Sequence, residues 1–285
     1  MSTSTGSAPR SVRATPLGWV IWAVVVFFFV NLAGVVLSVL VSSFGQKWFD
    51  TWFPSGFTTK WYGDAWHEFT LFHVIVVTLV VSALVVVLSV LVGAPAAYVL
   101  ARKNFPGKRL VYLTFLLPIL MPPITYGIPL ATVLYKFGFA GHLSGVVLAN
   151  LVPSVPFVIL TMTPFIEQVD PRIEDAARML GAGTRSVFLK ILAPLLVPGL
   201  LASGILVLVR TVGMFELTFL TAGPDSQTLV VALYYSMSAA GIRAQQSVDA
   251  MAVMYTAMML VLLVVALRFV NPTQLVARVK EEPSE

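Results

Sequence analysis

The sequence predicts an all-α, polytopic membrane protein with about six transmembrane helices. Composition is the first reason: 58% of the residues are hydrophobic and only 11% are charged, against about 45–50% and about 25% in ordinary globular chains. Mean hydropathy is +0.90. The second reason is patterning, because the apolar residues fall in runs long enough to cross about 30 Å of hydrocarbon. A 30.9 kDa chain of this kind has too little polar surface to cover a water-soluble particle. Soluble enzyme, nucleic-acid binder and disordered chain are therefore excluded as readings. The chain has no cysteine, which excludes disulfides, iron–sulfur clusters and thiolate zinc sites and leaves the redox compartment open.

Six segments account for the predicted spans. Residues 17–41 carry no charge and open on Trp19 and Trp22; their apolar run is too long for a secretory signal and no small-x-small site follows, so a retained helix is expected. Residues 69–100 exceed one crossing and imply tilt or extension past the bilayer. Residues 110–135 are interrupted by Pro118, Pro122, Pro123 and Pro129, and residues 144–166 contain Pro153, Pro156 and Pro164. The fifth span, 199–221, contains Arg210 and Glu216; the sixth, 248–270, begins near Asp249 and ends near Arg268. Residues 1–15 and 273–285 read as tails around a single domain, 16–272. Residues 42–68 form an outer loop, and 222–247 a second outer segment with a partly buried helix near 229–233.

Lys and Arg set the orientation. With the N-terminus in the cytoplasm, thirteen of the flanking Lys and Arg residues lie inside and four outside. Both termini are expected to be cytoplasmic. The net charge of +5 is thus a topology signal, and no nucleic-acid partner is expected.

The inner segment 167–198 has the most specific pattern. Asp170-Pro171 is a helix start: Asp caps a free backbone N–H and Pro fits the first helical position. Glu174 and Asp175 sit near the positive end of the helix dipole, and Gly181 suits a left-handed helix end. Ile173, Ala176, Ala177 and Leu180 share one face of this short helix, with Glu174, Asp175 and Arg178 on another. Thr184 is placed to cap a second short helix, which Pro194 and Pro198 would end. A loop lying on the membrane surface and a rigid knob that receives force from a soluble partner both fit this pattern.

Asp175-Ala176-Ala177, three residues, Gly181, nine residues, then Ile191 and Pro194 resemble the EAA loop of ABC-importer permeases, with Asp for Glu and Ala193 for Leu. Asn104-Phe105-Pro106-Gly107, Leu117-Pro118, Pro122-Pro123 and Ala222-Gly223-Pro224 extend the likeness. The chain resembles the MetI-like permeases, nearest to the spermidine/putrescine type; phosphonate, iron(III), opine and sugar permeases are similar. The resemblance implies that Glu174, Asp175, Ala176, Ala177, Leu180 and Gly181 form a coupling segment for a cytoplasmic ABC ATPase dimer. It also implies a second homologous permease subunit or a second copy, an extracytoplasmic substrate-binding protein and residence in the inner membrane. The substrate would be a small polar solute, with a polyamine-like cation favoured by Glu216 and Asp249.

The residues agree with this division of labour. No phosphate-binding G-x-x-x-x-G-K-[ST] loop is present, nor a hydrolase or metalloprotease motif, and His67, His73 and His142 are scattered. No cofactor, metal or enzymatic activity is expected. A membrane enzyme lacks a nucleophile–base pair, and a secondary transporter lacks an inverted repeat and an acidic relay. The pathway candidates are Glu216, Arg210, Pro122 and Pro123. Charges inside a span usually face its protein interior; on a continuous helix, Arg210 and Glu216 would be about 9 Å apart and on different faces. Arg210 is expected to meet carbonyls, a partner subunit or the pathway, and Glu216 a cationic group in the pathway; packing at a subunit interface is the alternative for both. The prolines serve either as packing kinks or as the wall of a cavity.

Overall fold

The computed structural model describes residues 16–46, 48, 53–238 and 244–269. The expected tails 1–15 and 273–285 lie outside the described residues, as do Lys47, Arg243 and the end of the predicted sixth span. Twelve α-helical stretches are described. They are α1 Pro16–Phe44, α2 Lys60–Glu68, α3 Leu71–Arg102, α4 Lys108–Leu120, α5 Pro123–Lys136 and α6 Leu143–Glu167. After these come α7 Pro171–Met179, α8 Thr184–Val187, α9 Ala193–Val212, α10 Glu216–Thr221, α11 Leu229–Ser238 and α12 Gln245–Phe269. A single isolated bridge, Gly45 to Phe57, is the only extended pairing among the described residues.

Valine-rich α3 would favour a strand in water. In hydrocarbon every backbone polar group must be satisfied within its own segment, and that constraint makes it a helix. It packs along α6 and α9, and Val77, Val81, Val85, Val158, Ile159, Met162, Ile166, Leu196 and Val207 form the main core. At Gly93 the α3 backbone touches α6: a Cβ there would stand 2.7 Å from Val158 Cγ1. α1 lies against α12, and nearly all of its large apolar side chains are exposed.

Five helical segments are long and apolar enough to cross a membrane, and the α4–α5 pair makes a sixth crossing if counted as one broken span. The predicted single span at 110–135 is two helices meeting at 99°. The double proline explains the corner. A residue before proline is pushed out of the helical region, so Met121 (ψ 142°) and Pro122 (ψ 132°) are both extended. Pro118, Pro129, Pro153, Pro156 and Pro164 stay inside their helices.

The fifth span also departs from expectation. Thr184 is not a cap; Gly183 holds that position without a side-chain bond. The helix is not stopped at Pro194 or Pro198 but runs continuously over Thr184–Val212. A π-helical turn at Phe188–Leu192 resets the hydrogen-bond register immediately before Pro194, which then falls in the first turn of α9, where a missing N–H costs little. The span ends at Gly213, earlier than the predicted 221, and Glu216 begins α10.

At one end of the bundle lie the 103–107 turn and α7. At the other, α2 is tied down by Trp61, whose indole donates to the Gly45 carbonyl at 2.7 Å. The expected helix in the second outer segment is α11, with Leu229, Val231 and Ala232 buried.

Candidate functional site

α7 starts and stops as its residues dictate. The Asp170 carboxylate accepts the Arg172 N–H at 2.9 Å and Pro171 occupies the first turn. Gly181 takes φ +87°, a conformation costly for other residues, and its N–H closes the helix on the Arg178 carbonyl at 2.9 Å. The helix does not bury one of the two faces that the sequence pattern groups together. Ile173 is exposed, Ala176 is exposed, Ala177 is half-buried against the core, and Leu180 is 90% exposed, as is Met179 at 88%. Glu174 is the buried residue, at 3%.

The reason is a polar socket at the end of α3. Tyr98 donates its hydroxyl proton to Glu174 Oε2 at 2.6 Å, and Arg102 Nε donates to Oε1 at 2.7 Å. Arg102 also donates from Nη2 to the Val169 carbonyl at 2.6 Å, and Arg178 Nη2 reaches the Tyr98 hydroxyl at 3.2 Å. Both oxygens of the buried carboxylate are therefore engaged, which buried charge requires. The Tyr98 ring meets Phe188 edge-on at 5.5 Å. Asp175 stays exposed, with Arg178 3.9 Å away. Glu174 thus joins α7 to α3, while Ile173, Met179 and Leu180 face outward.

The second polar region lies where two spans break. Pro122 and Pro123 form the α4–α5 corner, and Gly213, Met214 and Phe215 separate α9 from α10. Gly127 of α5 packs on Leu217 and Leu220 of α10, which brings the two breaks together. Arg210 and Glu216 therefore stand on different helices, contrary to the single-helix expectation. The Arg210 guanidinium lies 5.6 Å from the centre of the Phe157 ring, and neither Arg210 nor Glu216 has a hydrogen-bond or ion-pair partner among the described residues. Tyr126 is within electrostatic reach of both, and its hydroxyl is buried without a partner. Phe215, Phe219, Tyr234 and Tyr235 continue from this point as a ladder of ring contacts. Asp249 is elsewhere: it accepts from Ser42 at 2.5 Å and from Gln245 at 3.1 Å. His73 bonds the Asp225 carbonyl at 3.1 Å, a structural tie, and no group of three or more metal-ligating side chains occurs among the described residues.

The family described as binding-protein-dependent transport system inner membrane component matches residues 89–272. The chain belongs to that family. It is a permease subunit of an ABC importer, and both polar regions lie inside the matched stretch. One relative of this permease is the molybdenum transport system permease protein ModB of Escherichia coli (strain K12), 34% identical over 176 residues, which are 56% of this chain and 77% of that one. Another is the trehalose transport system permease protein SugB of Mycobacterium tuberculosis (strain CDC 1551 / Oshkosh), 34% identical over 129 residues, 45% of this chain and 47% of that one. In fold the permease resembles a bacterial ABC transporter involved in the import of the acidic polysaccharide alginate, with a TM-score of 0.72 at 17% identity over 92% of this chain and 99% of that one. Permeases of this family are transport subunits and not enzymes.

Three residues of these regions were missed by sequence reasoning: Tyr98, Arg102 and Tyr126. Arg102 is one of four basic residues in a short turn, and nothing local separates it from Lys103. Tyr126 carried a usable signal, a polar aromatic three residues beyond a double proline.

Proposed function

We propose that the permease couples to a cytoplasmic ABC ATPase dimer through the outward face of α7 and passes the resulting force into α3 through Glu174. The single observation that carries this reading is the buried Glu174 of α7 beside its exposed Leu180. A free surface helix would turn Leu180 inward and Glu174 to water; here the carboxylate is the anchor and the leucine is offered to a partner. Closure of the ATPase dimer pushes on Ile173, Met179 and Leu180. The Glu174–Arg102 and Glu174–Tyr98 bonds make α3 move with α7, and α6 and α9 follow through the shared core. Alternating access of the pathway results. This reading places α7 and both termini in the cytoplasm, with an extracytoplasmic binding protein at the opposite end. A second permease, homologous or identical, completes the pathway, and the exposed sides of α1 are available to it and to lipid.

The test is Leu180→Asp in the assembled transporter. The variant should reach the membrane at normal levels, fail to co-purify the ATPase and lose uptake. Retained ATPase and retained uptake would overturn the coupling reading. Uptake that survives ATP depletion and collapses with an uncoupler would instead make the chain a secondary transporter.

The solute path runs past the meeting of the two breaks, at Tyr126, Arg210 and Glu216, with Pro122 and Pro123 shaping its wall. Broken helices are tolerated at membrane depth where they line a cavity, and three polar groups without protein partners converge there. A small polar solute fits this setting. The polyamine-like cation has lost half of its support, because Asp249 is bonded away from the path and only Glu216 remains. Arg210 favours the second reading, a solute carrying acceptor or anionic groups, a class that spans phosphonates and the acceptor-rich sugars.

A further inference from the structure

Where the 103–107 turn enters α4 lies a cavity of about 570 Å³ lined by Asn104, Phe105, Lys108, Arg109, Tyr112 and Leu113. We propose that it holds the phosphate headgroup of an anionic phospholipid in the adjoining leaflet. The inference goes beyond the coupling reading and stands without it.

Charge is the first argument. Two cations line the cavity and no carboxylate does. Lys108 is half-buried, and neither Lys108 nor Arg109 has a side-chain hydrogen bond or ion pair among the described residues. On this same end of the bundle Arg102 and Arg178 are engaged by Glu174, whereas no carboxylate lines the cavity beside Lys108 and Arg109. α4 also begins here, at Gly107, without a side-chain cap, and its first free N–H groups add to the attraction for an anion.

Shape and position make the anion a lipid and not a free ion. Leu110, Leu113 and Leu117 are all exposed and fall on one stripe of α4 at helical spacing. That stripe leads directly away from the cavity and gives acyl chains an apolar surface to lie on. Phe105 and Tyr112 pack against the main core and fix the back wall. A basic pocket at the head of a span, with an exposed apolar stripe running away from it, suits an acidic headgroup and its acyl chains.

The test uses the purified full-length protein in neutral detergent, with its thermal midpoint followed by tryptophan fluorescence. Dioctanoyl-phosphatidylglycerol, dioctanoyl-phosphatidylcholine and inorganic phosphate are titrated separately. Phosphatidylglycerol should raise the midpoint saturably and the other two should not. Lys108→Gln with Arg109→Gln should weaken that effect roughly 30-fold, from about fivefold for each basic residue, and leave the lipid-free midpoint unchanged. Lys108→Arg with Arg109→Lys should restore it. Equal shifts from phosphatidylcholine, equal shifts from phosphate alone, or an undiminished shift in the Gln variant would each overturn the proposal. So would loss of ATPase co-purification in the Gln variant without any change in the lipid response, because the basic residues would then belong to a protein contact.

Discussion

Glu174 and Glu216 are both carboxylates withdrawn from full exposure, and the chain treats them in opposite ways. Glu174 is 3% exposed and accepts from Tyr98 and Arg102. Glu216 sits at a helix break, has no partner among the described residues, and shares its neighbourhood with an unpaired Arg210 and the unpartnered Tyr126 hydroxyl. A carboxylate with every oxygen engaged resists movement, which suits a joint between two helices. A set of polar groups left open at membrane depth stores no such rigidity; it is useful only if water or solute completes it. On the proposed function, the same residue type serves as a mechanical element at the α7 end and as part of a passage at the helix breaks.

The largest expected effect comes from breaking the joint. Glu174→Ala leaves Arg102 buried without its counter-charge, and removing one partner of a buried pair costs about 3–5 kcal/mol. Thermal melting of the purified protein should show that loss, and ATP hydrolysis by the assembled transporter should no longer drive uptake. Glu174→Gln, which keeps an acceptor for Tyr98, should fall between this variant and the wild type. If the joint were ornamental, Glu174→Ala would melt normally.

The middle region should respond without that loss of stability. Arg210→Gln removes a guanidinium in the last turn of α9 that has no hydrogen-bond or ion-pair partner among the described residues, so the variant should be about as stable as the wild type. Its uptake should nonetheless fall tenfold or more, as expected when a charge-assisted contact of about 1.5–3 kcal/mol is lost. Glu216→Gln should behave in the same direction for a solute with donor groups; the ratio of the two losses sorts an anionic from a cationic substrate. A stability loss in Arg210→Gln would show that the guanidinium is a packing group.

Tyr126→Phe is the mildest change. Its hydroxyl has no protein partner, so melting should be unchanged, while one hydrogen bond to solute, about 0.5–1.5 kcal/mol, should raise KM by roughly threefold to tenfold. Unaltered KM would move the path away from Tyr126.

Much of this was legible in the sequence for physical reasons that act locally. Span positions follow from hydrocarbon thickness, and the short helix from Asp170-Pro171 to Gly181 follows from capping and a left-handed glycine. The inward turn of Glu174 was not legible, because it depends on Arg102, seventy-two residues away in the chain, and helical periodicity assigns faces by polarity alone. Likewise Pro194 reads as a stop until the π-helical turn ahead of it is known, since that turn changes which carbonyl lacks its N–H; Pro198 is simply carried inside α9. The corner at Pro122-Pro123 was visible as a break and invisible as an angle.

The contact of Gly93 with Val158 has a consequence for how this permease moves. The Val158 side chain packs directly on the bare α3 backbone at Gly93, so α3 and α6 are keyed to each other: sliding by one residue, about 1.5 Å along the axis, carries a neighbour of Gly93 that bears a Cβ onto Val158. The two helices must tilt as one stave. On the proposed coupling, a stroke delivered at α7 is carried across the bilayer as rotation of a rigid plank, and the opening of the far mouth scales with the length of that plank and not with any stretch inside it.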